Sequence, residues 1–472
     1  MKTSLQSLDH ASLLAVALRV LEDVGPAPFT HALEPDEPPK KKKRKEKKKK
    51  AGMDMSRYEQ RPIALWICYD GGAYSGLAEQ NLESDSVDTV ERQLFMALKK
   101  TCLIESREAC GYSRCGRTDK GVSALCQVVG LRVRSAAKAG EGGVGPLDAH
   151  AGDALPDGKH ELDYVTMLNR VLPDDIRALA WRAVVPEFSA RFSCASRTYR
   201  YFFSRESPKT SEPYDIDAMR DAAARLVGDH DFRNFCKMDV LHVKNFRRVI
   251  YSAAIHEEGS GLYFEIHGQA FLWHMVRSLV AVLFLVGDGR EAPTIVDELL
   301  DVDTCPRKPQ YLIADERPLV LHRCDYDTLD PDRSPLPEPL SYLSDHFQAA
   351  HRKAVVELAK RTNDLRRLDA FSVRKCDLDA RLDALGHEPT AAGAFGDFVP
   401  WPAALAVLRR AKNDKAAAAY IPLGVRETGL SYEEKLGSMK MNPNQLSQFE
   451  AIEELRRRDD APAFHEEKRR CG

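Results

Sequence analysis

The chain lacks any uninterrupted apolar run of the roughly 18–20 residues needed to span a bilayer, and its first residues lack the charged, apolar and small-residue order of a secretory signal. The run at 271–286 comes closest. It is interrupted by His274, Arg277 and Ser278 and is followed by Gly287, so it predicts a buried helix of a soluble domain, with no membrane partner. The 11 cysteines include no CxxC pair and no Cys/His cluster, which argues against a structural zinc centre and a disulfide scaffold. Free thiols in a reducing compartment are expected. No internal repeat of solenoid length is present.

Net charge is nearly absent too, at −2 over 472 residues, but the sum conceals an asymmetry. Residues 40–50 (KKKKRKEKKKK) hold ten positive charges and one negative, which leaves −11 for the remainder. An acidic protein binds a polyanion only through locally concentrated basic surface. Two such concentrations are visible: residues 107–134 carry six Lys/Arg against two acids, and residues 233–248 five against one. So dense a lysine run repels itself, and is expected to stay disordered as a nuclear import signal or a solvated tail. Nucleus, cytoplasm or both are the expected locations.

The chain is long enough for two or three domains, and its texture divides it into an appendage (1–60), an α+β region (61–333) and a Pro-punctuated, largely helical extension (334–472). Within the middle region the alternation predicts strands at 62–69, 124–134, 176–184 and 197–203. Helices are predicted at 87–100, capped by Ser86 or Asp88, and at 161–171. Residues 136–160 read as a surface insertion between halves at 61–135 and 161–333. A second succession of strand, helix, strand, strand and helix fills 197–286, with a hairpin over 259–261. Alternation places Arg132 and Arg134 together on the exposed side of their strand. In the extension, 347–368 predicts a long charged helix and 389–403 a linker.

The segment richest in chemistry is YSRCGRTDKGVSALCQVVGLRVR (112–134), where Asp119 sits between Arg117 and Lys120 in a turn flanked by Gly116 and Gly121. Such a turn can present a carboxylate to a polyanion, although an Asp there is more often a simple turn-former. GRTDKGVSA resembles the active-site loop of the TruA family of tRNA pseudouridine synthases. Further segments resemble that family in order: YDGGAYSGLAEQ (69–80), FSARFSCASRTYRYFFSR (188–205), GDHDFRNFCK (228–237) and GQAFLWHMVRSLVAVLFLVGDG (268–289). The likeness covers about 61–330. It is strongest to the eukaryotic branch acting on positions 38 and 39 of the anticodon arm, whose tail resembles YIPLGVRETGLSYEEKL (420–436). One position departs: Leu77 follows Gly76 where many members carry an aromatic.

The resemblance implies two similar α/β halves around an RNA cleft, with a mainly antiparallel sheet. It also implies isomerisation of uridine to pseudouridine in tRNA, a reaction that conserves formula and so needs no redox or energy cofactor and no metal. Asp119 would act at the sugar carbon, Arg277 would lie against it, and Tyr199 would pack on the uracil, with Tyr201 in reserve. Arg117 would help displace the nucleotide from its stem. Arg114, Lys120, Arg132, Arg134, Arg247 and Arg248 are candidate phosphate contacts. A homodimer is a further expectation, since bacterial relatives are dimers. Other readings of the same residues are a non-catalytic tRNA-binding or folding protein and a glycosylase using the same carboxylate.

Overall fold

A computed structural model describes residues 53–79, 87–140 and 161–327 except 242, 244, 259 and 260. It also describes 372–374, 382–383, 398–400, 413 and 420–438. The central feature is one nine-stranded sheet: β1 (Tyr58–Tyr69), β2 (Ser113–Arg114), β3 (Ser123–Lys138), β4 (Ile176–Ala183), β5 (Ser196–Phe203), β6 (Gly228–Asp231), β7 (Arg247–Glu258), β8 (Gly261–Gly268) and β9 (Leu319–Asp325). The order is β4-β1-β3-β9-β5-β8-β7-β6, with β2 alongside β3. Every pairing is antiparallel except β3 with β9, which joins the halves through only two pairs, Ser123 with Val320 and Ala124 with Leu321. The chain therefore enters β3 and β9 side by side at mid-sheet. The loops just before them must meet.

Two cores flank that junction. The first packs α1 (Val90–Lys100) and α2 (Tyr164–Asn169) on β1, β3 and β4 around Leu65, Leu94, Leu98 and Tyr164. The second packs α3 (Ile216–Ala224), α4 (Met275–Gly287) and α5 (Ile295–Leu300) on β5, β7 and β8 around Phe232, Phe264 and Leu279. Twelve of the thirteen residues of α4 are buried, as a helix apolar on nearly every face requires.

Several boundaries differ from the sequence reading. β1 begins at Tyr58 inside the assigned appendage, because Tyr58 pairs with Lys138. β3 correspondingly runs four residues past Arg134 into the assigned insertion, of which 141–160 lie outside the described residues. The cap of α1 is Thr89, whose hydroxyl accepts from the Arg92 amide, while Asp88 accepts from the Gln93 side chain. In the extension, Phe398–Pro400, read as linker, is a strand paired with Ser372–Arg374. The helix expected at 347–368 lies outside the described residues.

Residues 420–438 pack on the second core. Leu423 is fully buried, the Tyr420 hydroxyl donates to Glu291 at 2.5 Å, and Lys435 Nζ donates to the Met238 carbonyl at 2.8 Å. This segment therefore belongs to the body of the fold.

Candidate functional site

Asp119 stands on the loop that enters β3, and that loop is held from several sides. Thr118 is clamped by a hydroxyl contact with Tyr69 (2.8 Å), and its carbonyl accepts from the Leu77 amide (3.1 Å). Gln127 of β3 donates to the Gly116 carbonyl, and the Gly121 amide donates to the Tyr74 carbonyl. Gly121 has φ +79°, open to glycine at no steric cost, and a Cβ there would lie 2.8 Å from Glu316 Cγ. Gly76, at φ +100°, lies against the backbone of Thr118–Lys120, and Leu77, where many family members carry an aromatic, is buried in the first core. The fixed loop leaves the Asp119 side chain 26% exposed.

The turn into α4 approaches this carboxylate. Trp273 Nε1 donates to Asp119 Oδ1 at 3.2 Å, and His274 Nε2 lies 3.5 Å from Oδ2. His274 adopts the left-handed conformation (φ 61°, ψ 11°), which costs a side chain other than glycine about 1–3 kcal/mol and brings two adjacent residues onto one target. The Lys237 amide donates to the Trp273 carbonyl, and its ammonium sits 4.0 Å from the centroid of the Trp273 ring.

Burial lowers the His274 pKa; Asp119 opposes that shift, while Arg277, Lys237 and Lys308 reinforce it. His274 is thus expected to titrate below 6.5 in the folded chain, as an NMR pH titration of its ring would show. Because the folded value is depressed, its contribution to stability is present above the unfolded pKa and is lost as pH falls through the folded one. A midpoint at or above 6.5 would contradict the buried placement.

Arg277 does not touch Asp119. Its Nε donates to the Ala314 carbonyl (2.8 Å) and Nη2 to Glu316 (2.7 Å), a carboxylate nearer to hand that the sequence reading did not weigh. Since Glu316 lies under Gly121, Arg277 braces the Asp119 loop from behind.

Tyr199 packs against both cores, edge-on to Phe271 at 5.0 Å, and a Cβ on Gly116 would lie 3.8 Å from its hydroxyl. Burial first, and the neighbouring thiols after it, push its phenol pKa far up. Tyr201, expected on the same side of the strand, is 3% exposed in the second core against Phe284. Tyr199 packs against that same core, as two residues two apart on one strand should, and the register shift at Thr198/Tyr199 lies outside the pair.

The candidate phosphate ligands divide sharply. Arg117 and Lys120 are exposed beside Asp119 with no side-chain hydrogen bond or ion pair among the described residues, and Arg132 is exposed on β3. Arg134, by contrast, is 7% exposed: the turn after α1 closes over it, so its Nε donates to the Cys102 carbonyl and its guanidinium covers Tyr58. Arg114 pairs with the buried carboxylate of Glu91. Arg247 engages Asp229, and Arg248 donates to the Asn245 and Arg247 carbonyls. Each of these four has a partner within the protein that charge counting does not reveal, although Arg247 stays 54% exposed.

Sequence reasoning also missed Arg197. Its guanidinium donates to the carbonyls of Arg191 (2.9 Å), Cys115 (3.3 Å) and Gln269 (2.7 Å), tying three loops together behind the site. Beneath them Cys115 and Cys194 bring their sulfurs to 3.3 Å, a juxtaposition invisible in their spacing. Trp273 and His274 had one sequence signal: polar atoms set directly before an otherwise apolar helix.

Residues 222–327 match the family profile described as tRNA pseudouridine synthase. The chain is 47% identical over 289 residues to the tRNA pseudouridine(38/39) synthase of Bos taurus, covering 58% of this chain and 58% of that one, so it spans little more than half of that relative. To the enzyme of the same name from Saccharomyces cerevisiae it is 42% identical over 283 residues, covering 59% and 60% of the two chains. A solved structure, a Cbf5-Nop10-Gar1 complex, overlaps at TM-score 0.20 and 13% identity over 47% of this chain and 54% of that one, too little to carry an argument. The tRNA pseudouridine synthase A of Methanosphaerula palustris is 32% identical over 295 residues, which cover 62% of this chain and 89% of that one. With that relative matched almost end to end, this chain belongs to the tRNA pseudouridine synthase family.

Proposed function

We propose that the protein isomerises uridine to pseudouridine in tRNA, at positions 38/39 of the anticodon stem-loop. The names of its relatives support this reading. The observation that carries it is a partly exposed carboxylate, on a loop fixed at both ends, flanked by two exposed cations with no partner among the described residues. Those cations would meet phosphates while Asp119 meets the ribose. The C1′–N1 bond breaks, C1′ bonds to C5 of the turned uracil, C5 loses its proton and N1 gains one, so mass is conserved. Asp119 is suited to hold C1′ covalently or to stabilise it as a cation. Tyr199, whose phenol burial keeps protonated, would offer the uracil a neutral surface.

A stem nucleotide reaches Asp119 only by leaving its helix, at a cost of a few kcal/mol. Arg117, exposed at the loop tip, is positioned to fill the gap. The line of the sheet junction would form the floor of an RNA cleft. The lysine run at 40–50 would serve nuclear import, and a homodimer would extend the RNA surface; residues 40–50 lie outside the described residues.

The test is to incubate the protein with anticodon stem-loop transcripts and map carbodiimide-reactive pseudouridine. Conversion without a change in mass is expected. Release of free uracil would instead identify a glycosylase, and binding without conversion a folding protein.

A further inference from the structure

Phe192 is 83% exposed, far more than most large apolar side chains of this protein. A lone exposed apolar residue is ordinary on a protein surface. This one is unusual because the turn that bears it is immobilised. The Ser193 amide donates to the Ser189 carbonyl and the Ser189 amide to the Ser193 hydroxyl. The Ala190 amide donates to Ser113 Oγ at 3.0 Å, and the Ala190 carbonyl accepts from the Tyr326 hydroxyl at 2.6 Å. Arg197 then binds the Arg191 carbonyl with the same nitrogen that binds the Cys115 carbonyl. Ser113 and Cys115 lie six and four residues before Asp119, on the strand and loop that lead to it. Hydrogen bonds from several sides, one of them buried, therefore hold the turn that carries the exposed ring against the strand and loop leading to Asp119.

The ring is accompanied by charge. The exposed Arg191 guanidinium lies over it, 5.5 Å from the centroid. A flat aromatic and a guanidinium plane are the two surfaces on which unpaired RNA bases stack, and Arg117 and Lys120 supply positive charge on the adjoining loop.

We propose that Phe192, backed by Arg191, is a stacking platform for an unpaired base of the RNA substrate, a neighbour of the uridine presented to Asp119. The inference rests on the proposed tRNA substrate and adds a second point of attachment to it. It explains why the turn is rigid: a platform that moved would lose to entropy what stacking supplies.

The experiment measures binding of a fluorescently labelled anticodon stem-loop RNA to the full chain and to Phe192→Ala, Phe192→Leu and Phe192→Tyr. One stacked base is worth roughly 5- to 150-fold in affinity. Phe192→Ala and Phe192→Leu should raise Kd by about ten-fold or more, while Phe192→Tyr, which keeps the flat face, should stay near wild type. RNAs with a single abasic site moved along the loop should show one position where the missing base and Phe192→Ala do not add.

Wild-type affinity in Phe192→Leu, or additivity at every position, would overturn the platform. So would a change of mass in light scattering without loss of RNA affinity, which would assign the ring to contact between copies. Absence of RNA binding by the wild type would instead sink the substrate reading itself.

Discussion

Asp119→Asn is expected to reduce pseudouridine formation on an anticodon stem-loop by a factor on the order of 10⁴ or more, the scale of losing a covalent or charge-stabilising catalytic group. The amide keeps the shape and can still accept from Trp273 Nε1, so the loop should survive. RNA affinity should not fall, since removing an anion beside Arg117 and Lys120 cannot weaken attraction for a polyanion. The same variant offers a check independent of turnover. Asp119 raises the His274 pKa, so without it His274 should titrate at still lower pH than in the wild type. Turnover within ten-fold of wild type would remove Asp119 from the chemistry, and an unmoved His274 would contradict the contact between them.

The second large effect is on stability, at Glu91. This fully buried carboxylate in the first turn of α1 pairs with Arg107 (2.9 Å) and Arg114, and accepts from the Tyr112 hydroxyl (3.0 Å) and the Glu79 amide (3.1 Å). Removing one partner of a buried ionic network strands the others. Glu91→Ala is therefore expected to cost about 3–5 kcal/mol and to lower the thermal midpoint on the order of 10 °C by circular dichroism. Glu91→Gln, which keeps the volume and one acceptor, should fall between. A loss for Glu91→Ala below about 1 kcal/mol, the scale of an exposed pair, would show the network to be solvent-screened. Because Arg114 immediately precedes Cys115 and the loop of Asp119, the variant should also lose activity with warming sooner than the wild type.

Arg114 and Arg134 show where sequence reading fails. Both look like available cations in a basic segment, and both are consumed by partners from elsewhere in the chain: Glu91, 23 residues away, and the Cys102 carbonyl, 32 away. Charge counting registers how many cations there are. It does not register which of them have already found an acceptor. Arg277 likewise has a partner that the sequence reading did not weigh, Glu316, 39 residues on.

Local pattern was enough where the physics is local. Apolar, β-prone runs place β1 and β3, and the apolar run of α4 dictates a buried helix, while the family motif singles out the Gly-flanked Asp119. The ordered string of motifs made the family legible before any coordinate. The parallel junction of β3 with β9, the convergence of Trp273 and His274 on Asp119, the packing of residues 420–438 on the second core and the fixing of Phe192 beside the site were decided by the tertiary structure alone. Each depends on which distant groups desolvate together. That is a property of the packed chain, which spacing along the sequence does not encode.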